Sequence, residues 1–198
     1  MLNNITDDFR PSSLKNDEVF HKVGNVLAFL AAHIPDLYIT KLSKLIYILD
    51  EFSVKEIGMP VTGLEYKVAK MGPLATDVWS SLRYHGGHFN SFVKTFRGDT
   101  AIRIIPNPDF SFNENIFTEY ELDLLNTIVS RFGSMRPEKL VEYTHAEGSP
   151  WEYSKNKHNI TFASDDPNVT DFVIDFTPLL DTEIKKKNFT SFFQSLSF

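Results

Sequence analysis

Thr40-Lys41-Leu42-Ser43-Lys44-Leu45-Ile46-Tyr47-Ile48-Leu49-Asp50-Glu51-Phe52 is the stretch that decides the fold class. Leu42, Leu45, Ile46, Leu49 and Phe52 recur three and four residues apart, the period of one face of an α-helix. Lys41, Lys44, Asp50 and Glu51 fall largely off that stripe and read as its solvated side. The helix starts near Thr40, and Gly58 with Pro60 stops it. A helix with this much apolar surface needs other elements to cover it, so the flanking sequence is read for them.

Upstream, Val19, Phe20, Val23, Val26, Leu27 and Leu30 repeat the helical period from Asp17, and Pro35 closes that segment. Residues 1–16 are polar, with Asp7-Asp8 and Pro11-Ser12-Ser13, and read as an arm. Downstream of the Thr62-Gly63 turn, Leu64, Tyr66 and Val68 alternate with polar or small residues, which is the period of a strand. Met71-Gly72-Pro73 breaks it: Gly72 tolerates positive φ and Pro73 suits a first helical position. Leu74, Val78 and Leu82 then line a short helix that ends at Gly86-Gly87.

Residues 88–117 are irregular except for a strand at Ala101–Ile105. Thr118 and Glu121 form a capping box at the head of a helix carrying Leu122, Leu125, Ile128, Val129 and Phe132, with Gly133 as its cap. Another helix starts at Pro137. Ser149-Pro150-Trp151-Glu152 reads as a second capping box. Phe172, Ile174 and Phe176 alternate as a third strand. The tail from Thr182 reads as a helix with Ile184, Phe189, Phe192, Phe193 and Leu196. The expectation is a mainly α domain of six to seven helices with three short strands. It spans residues 17–198 behind the 1–16 arm, with a C-terminal strand and helix over 171–197.

The chain has 198 residues, no Cys, and a net charge of −6. Zero Cys excludes a disulfide scaffold, a thiol nucleophile and thiolate metal sites. The negative charge argues against general nucleic-acid binding. No signal core or membrane-length apolar run is visible, so a cytoplasmic protein with no membrane partner is expected. The aromatic count is high, at 18 Phe, 7 Tyr and 2 Trp, enough for a core and a sticky surface.

Catalytic motifs are missing. There is no Gly-x-Ser-x-Gly elbow, no P-loop and no dinucleotide fingerprint. His85-Gly86-Gly87-His88, joined by His145 and Glu147, is the best metal candidate, but two glycines separate the imidazoles and zinc spacing is not met. His145 with Glu147 reads as an acid–base pair or as a histidine bonded to backbone near a helix start. Asp50-Glu51 points its carboxylates about 100° apart on a helix, a poor arrangement for paired-carboxylate chemistry. No catalytic residue, metal or cofactor is therefore assigned. Trp79 lies one position off the Leu74/Val78/Leu82 stripe, and Tyr84 follows it. Each of these two reads as a widening of the core face, the reading preferred here, or as a surface anchor; with Phe189, Phe192 and Phe193 they are the candidates for partner binding.

Three stretches taken together resemble a known family. They are Lys41–Asp50, then Gly58-Met59-Pro60-Val61-Thr62-Gly63 running through Tyr66 to Lys70-Met71-Gly72-Pro73, and then Thr144-His145-Ala146-Glu147-Gly148-Ser149-Pro150-Trp151. Their order and spacing resemble the Panacea domain, met in SocA-like antitoxins and phage-associated GepA-type proteins. Ile48-Leu49-Asp50 departs from that pattern, as does the long insert His88–Asn115. The resemblance implies a compact, mostly helical domain with a small antiparallel sheet, an α+β fold. It marks Lys44, Leu45, Tyr47, Gly63, Lys70, Gly72, Pro73, His145, Gly148, Pro150 and Trp151 as motif residues, read here as architectural.

The resemblance also implies an antitoxin that binds and neutralises a protein toxin encoded by an adjacent gene. An adaptor that hands a client to a cytoplasmic protease is the alternative. A hydrolase using His145 and Glu147 is carried behind both, and promoter binding behind that. A homo-oligomer is left open.

Overall fold

A computed structural model describes residues 14, 16–84, 88–99, 101–163 and 168–196. Most of the expected arm, together with His85, Gly86 and Gly87, lies outside the described residues. From the arm's end, Leu14 is buried, and the Asn16 side chain accepts from the backbone N–H groups of Glu18 and Val19. Asn16 is therefore the N-cap of the first helix, α1 (Asp17–His33).

The second helix, α2 (Ile39–Ile57), is the centre of the molecule. Around it pack α1, α3 (Thr76–Arg83), α4 (Glu119–Phe132), α5 (Pro137–Thr144) and α7 (Glu183–Ser195). Cover on so many sides explains why α2 is buried well beyond its apolar stripe. Lys41, Lys44 and Asp50 are buried, which corrects the reading of these residues as a solvated side. Lys41 Nζ donates to the Gly133 carbonyl at the end of α4. Gly133 is the C-cap there with right-handed φ, so it terminates α4 without the left-handed turn glycine permits. The Thr118–Glu121 capping box forms as expected.

Among the described residues, four strands form two antiparallel pairs. β1 (Lys67–Ala69) pairs with β4 (Val169–Val173), a contact between chain segments a hundred residues apart. β2 (Val93–Arg97) pairs with β3 (Ile102–Pro106) as a hairpin. β2 lies in the stretch read as irregular. Only Val93 on it is fully buried, so an apolar alternation is hardly written into its sequence.

Other expectations are corrected. Leu74 is not on α3: it pairs with Lys67 through two backbone hydrogen bonds of 2.8 and 3.2 Å, and α3 begins at Thr76. Pro73 is thus not at a first helical position. The third expected strand sits slightly earlier, and of its alternating residues only Ile174 and Phe176 are buried. Phe172 is exposed, stacked on His158 with ring centroids 4.2 Å apart. At the head of α6 (Pro150–Lys157), Ser149 accepts from Glu152 N–H. The Glu152 carboxylate accepts from Gly148 N–H instead of Ser149, so the second box is displaced by one residue.

Candidate functional site

Three ionisable side chains leave α2 toward three different parts of the chain. Lys44 reaches the turn after β1, donating to the Pro73 carbonyl at 2.7 Å. Desolvation lowers its pKa to about 7. Asp50 is completely buried, and its carboxylate organises the loop after α2. It accepts from Val61 N–H and Thr62 N–H, both at 2.8 Å, from the Thr62 hydroxyl, and from the Tyr66 hydroxyl at 2.7 Å. Burial pushes Asp50 up to about 6 against those four hydrogen bonds, each of which favours the ionised form.

Glu51 differs from both. Its Oε2 is buried and has no hydrogen-bond partner among the described residues. Burial raises its pKa to about 7, partly opposed by the Lys55 ammonium. The hydroxyl of Tyr47, one turn earlier, is also buried with no partner among the described residues. Burial and the nearby Glu51 charge raise the Tyr47 pKa well above the usual phenol value. Glu51 lines a cavity of about 550 Å³ formed with Phe52, Arg131, Tyr143 and the turn 146–149.

The motif residues meet around α2. Leu45 and Tyr47 are fully buried in the core. Gly72 has φ +92, and a Cβ there would lie 2.9–3.0 Å from Thr144 Oγ1, His145 Nε2 and Lys44 Nζ. Only glycine lets the three motif segments close on one another at this point. The His145 ring stacks on Trp151 with centroids 3.7 Å apart. Pro150 occupies the first turn of α6, as expected. Gly148 also takes positive φ, at +76, in the turn before Ser149. Gly63, at φ +69, faces α7, where a Cβ would meet Leu196 and Phe192 at 3.0 Å. Lys70 Nζ donates to the Ala163 carbonyl.

The acid–base pair does not assemble. His145 Nε2 faces Gly72 and Lys44, whereas Glu147 is exposed and lines the Glu51 cavity. His145 Nε2 has no hydrogen-bond partner among the described residues, so a backbone bond at this nitrogen is also not formed. Burial first, and then the Lys44 and Lys155 charges, lower its pKa to about 4. His88 shares a 3.3 Å contact between its Nδ1 and the Ser81 hydroxyl. No group of three metal-ligating side chains is found among the described residues.

The aromatic candidates divide. Trp79 and Tyr84 flank Arg83, whose guanidinium lies 5.7 and 5.5 Å from their ring centroids. All three line another cavity of about 550 Å³, with exposed Met71 on its edge and Lys44 at its floor. Tyr84 is 65 % exposed. Phe189 on α7 and Leu196 at its C-cap lean on the core. Phe192 approaches Gly63, and Phe193 is 37 % exposed beside an apolar groove. The buried Asp50 and the unpartnered Glu51 are what sequence reasoning missed. Asp50 sits four residues after Ile46 and eight after Leu42, at the edge of the apolar stripe, so a positional signal existed.

Among the described residues no helix is long and apolar enough to cross a membrane. A family model described as antitoxin SocA-like, Panacea domain, matches residues 42–152. Neither the curated proteins nor the solved structures yield a match.

Proposed function

This chain belongs to the SocA-like antitoxin family with a Panacea domain, and on that premise we propose that it neutralises a protein toxin from an adjacent gene by binding it directly in the cytoplasm. A toxin is the class of partner the family implies. The observation that carries the reading is the family match over 42–152, a span that contains all the motif residues at α2, the Gly72 crossing and Trp151. Those residues are occupied in holding the domain together, which leaves the periphery free to differ.

The neutralising surface proposed is the Trp79–Arg83–Tyr84 rim, together with the outer face of α7 around Phe193. Trp, Tyr and Arg are the side chains that most often dominate binding energy, because they bury a large area with few rotatable bonds. The net charge of −6 favours encounter with a basic toxin.

Co-expression with the product of the neighbouring reading frame tests the proposal. Restored growth and a complex that survives co-purification are expected, and Tyr84→Ala and Trp79→Ala should weaken it. Lack of both rescue and complex overturns the reading. Toxin half-life should be unchanged by the protein; a shortened half-life would favour delivery to a protease instead.

A further inference from the structure

We propose that the cavity over Glu51 receives a cationic side chain of the toxin, an arginine guanidinium or a lysine ammonium. This inference rests on the antitoxin reading above and adds to its surface a further contact, at a cavity that shares no lining residue with the Trp79–Arg83–Tyr84 rim or the groove beside Phe193.

Three of the ionisable residues of α2 are Lys44, Asp50 and Glu51. Lys44 and Asp50 spend their hydrogen bonds on the fold, the first at Pro73 and the second at Val61, Thr62 and Tyr66. Glu51 differs at Oε2, which is buried and has no hydrogen-bond partner among the described residues. A buried carboxylate oxygen without a partner is costly, and it is relieved by protonation or by a donor from outside. The cavity gives that donor a way in, since Glu51 lines it.

Tyr47 supplies the independent observation. It is fully buried, its hydroxyl is also unpartnered, and it feels the Glu51 charge. Tyr47 lies one turn before Glu51 on α2 and does not line the cavity, so the carboxylate is the group an entering donor reaches. The cations already present do not neutralise Glu51. The Arg131 guanidinium lies over the Phe52 and Phe132 rings at 5.5 and 5.2 Å, and no ion pair joins Glu51 to Arg131 or Lys55 among the described residues. The cavity lining carries Glu51, Glu56 and Glu147 against Lys55 and Arg131, so its balance is acidic. An anion entering here would meet Glu51 head-on.

Two experiments on the full chain decide this, and they fail separately. In the first, N-acetyl-L-arginine methylamide serves as the probe and amide NMR as the readout. The probe should shift amides 143–149 of the wild type and leave them unmoved in Glu51→Gln. No shift in the wild type, or an equal shift in the variant, overturns the inference.

In the second, affinity for the neighbouring gene product is measured. Glu51→Gln should weaken it by about 30-fold or more, the range for removing one member of a desolvated charge pair. An alanine scan of the toxin's Arg and Lys residues should find one whose loss weakens the wild type but not the variant. Unchanged affinity in Glu51→Gln overturns the inference and leaves the antitoxin reading standing. A wild type that binds no toxin overturns that reading and removes the toxin as the source of the cation, while the probe still reports the chemistry of the cavity.

Discussion

The Trp151 indole donates from Nε1 to the Ala69 carbonyl at 3.0 Å, tying the head of α6 to the end of β1. Trp151 is buried, and the His145 ring lies nearly parallel on it, so the hydrogen bond joins the third motif segment to the second and the stack braces the third within itself. Trp151→Phe keeps most of the ring contact but removes one of the two donors to the Ala69 carbonyl, which keeps the Gly72 N–H at 2.9 Å. A loss of about 0.5–1.5 kcal/mol in urea unfolding is expected. Trp151→Ala, which also empties the site, should cost about 3–5 kcal/mol.

Asp50 gives a sharper loss. Its carboxylate accepts from two backbone amides and two hydroxyls. Asn puts an NH₂ in place of one carboxylate oxygen: at Oδ2 it removes the shared acceptor of the Thr62 and Tyr66 hydroxyls, and at Oδ1 it faces the Val61 and Thr62 N–H donors. Asp50→Asn should cost about 2 kcal/mol or more, read as a fall in the urea midpoint at unchanged slope. Thr62→Val should cost less, because the amide bonds to Asp50 survive.

The helices were legible because their apolar stripes, capping residues and proline starts agree with one another. Ser149, Pro150 and Trp151 announce α6, and Thr118 with Glu121 announces α4. What sequence reasoning missed depends on tertiary cover. Asp50 reads as solvated until the loop 61–66 folds over it, and Lys44 until the Gly72 turn closes on its ammonium. β2 stayed hidden because four of its five residues are incompletely buried, so nothing enforces a period of two. Glu51 had no local signal at all, since its cavity is built from α4, α5 and a turn more than ninety residues downstream.

His145 should stay neutral well below the ordinary histidine range. Its pKa is lowered to about 4, by burial first and then by Lys44 and Lys155. A lowered folded pKa means that its contribution to stability is present above 6.5 and is lost as pH falls through about 4. The imidazole C–H signals should therefore titrate with a midpoint near 4, and near 6.5 once the chain is unfolded. A native midpoint above 6 would show that the stack on Trp151 does not shield the ring.

Gly58 and Gly148 make a matched pair. Both take left-handed φ, at +77 and +76, where a β-carbon costs about 1–2 kcal/mol. Around Gly148 a Cβ meets nothing within 4 Å, whereas at Gly58 it would lie 2.4 Å from the Lys185 carbonyl oxygen on α7. Gly148→Ala should therefore show only the backbone cost. Gly58→Ala should add the displacement of α7, seen as faster protease cleavage within Glu183–Ser195. Equal protection in the two variants would mean that α7 does not rest on the end of α2.

Glu51→Gln should stabilise the free protein at neutral pH, and the sign follows from linkage. The Glu51 pKa is raised from 4.5 to about 7 in the folded chain, so between those values the folded state binds the proton that the unfolded state has released. The stability this confers is present below 4.5 and is lost as pH rises through about 7. Gln carries no such proton. The difference between variant and wild type should grow in favour of Gln across that window and level off above it. Tyr47, Tyr143, Lys55, Arg131, Glu56 and Glu147 surround the same site, and the substitution leaves each of them in place. Parallel pH profiles would show that Glu51 is already partnered in solution. A gain in stability together with a loss of toxin affinity is the pattern expected of a charge kept buried for a partner instead of for the fold.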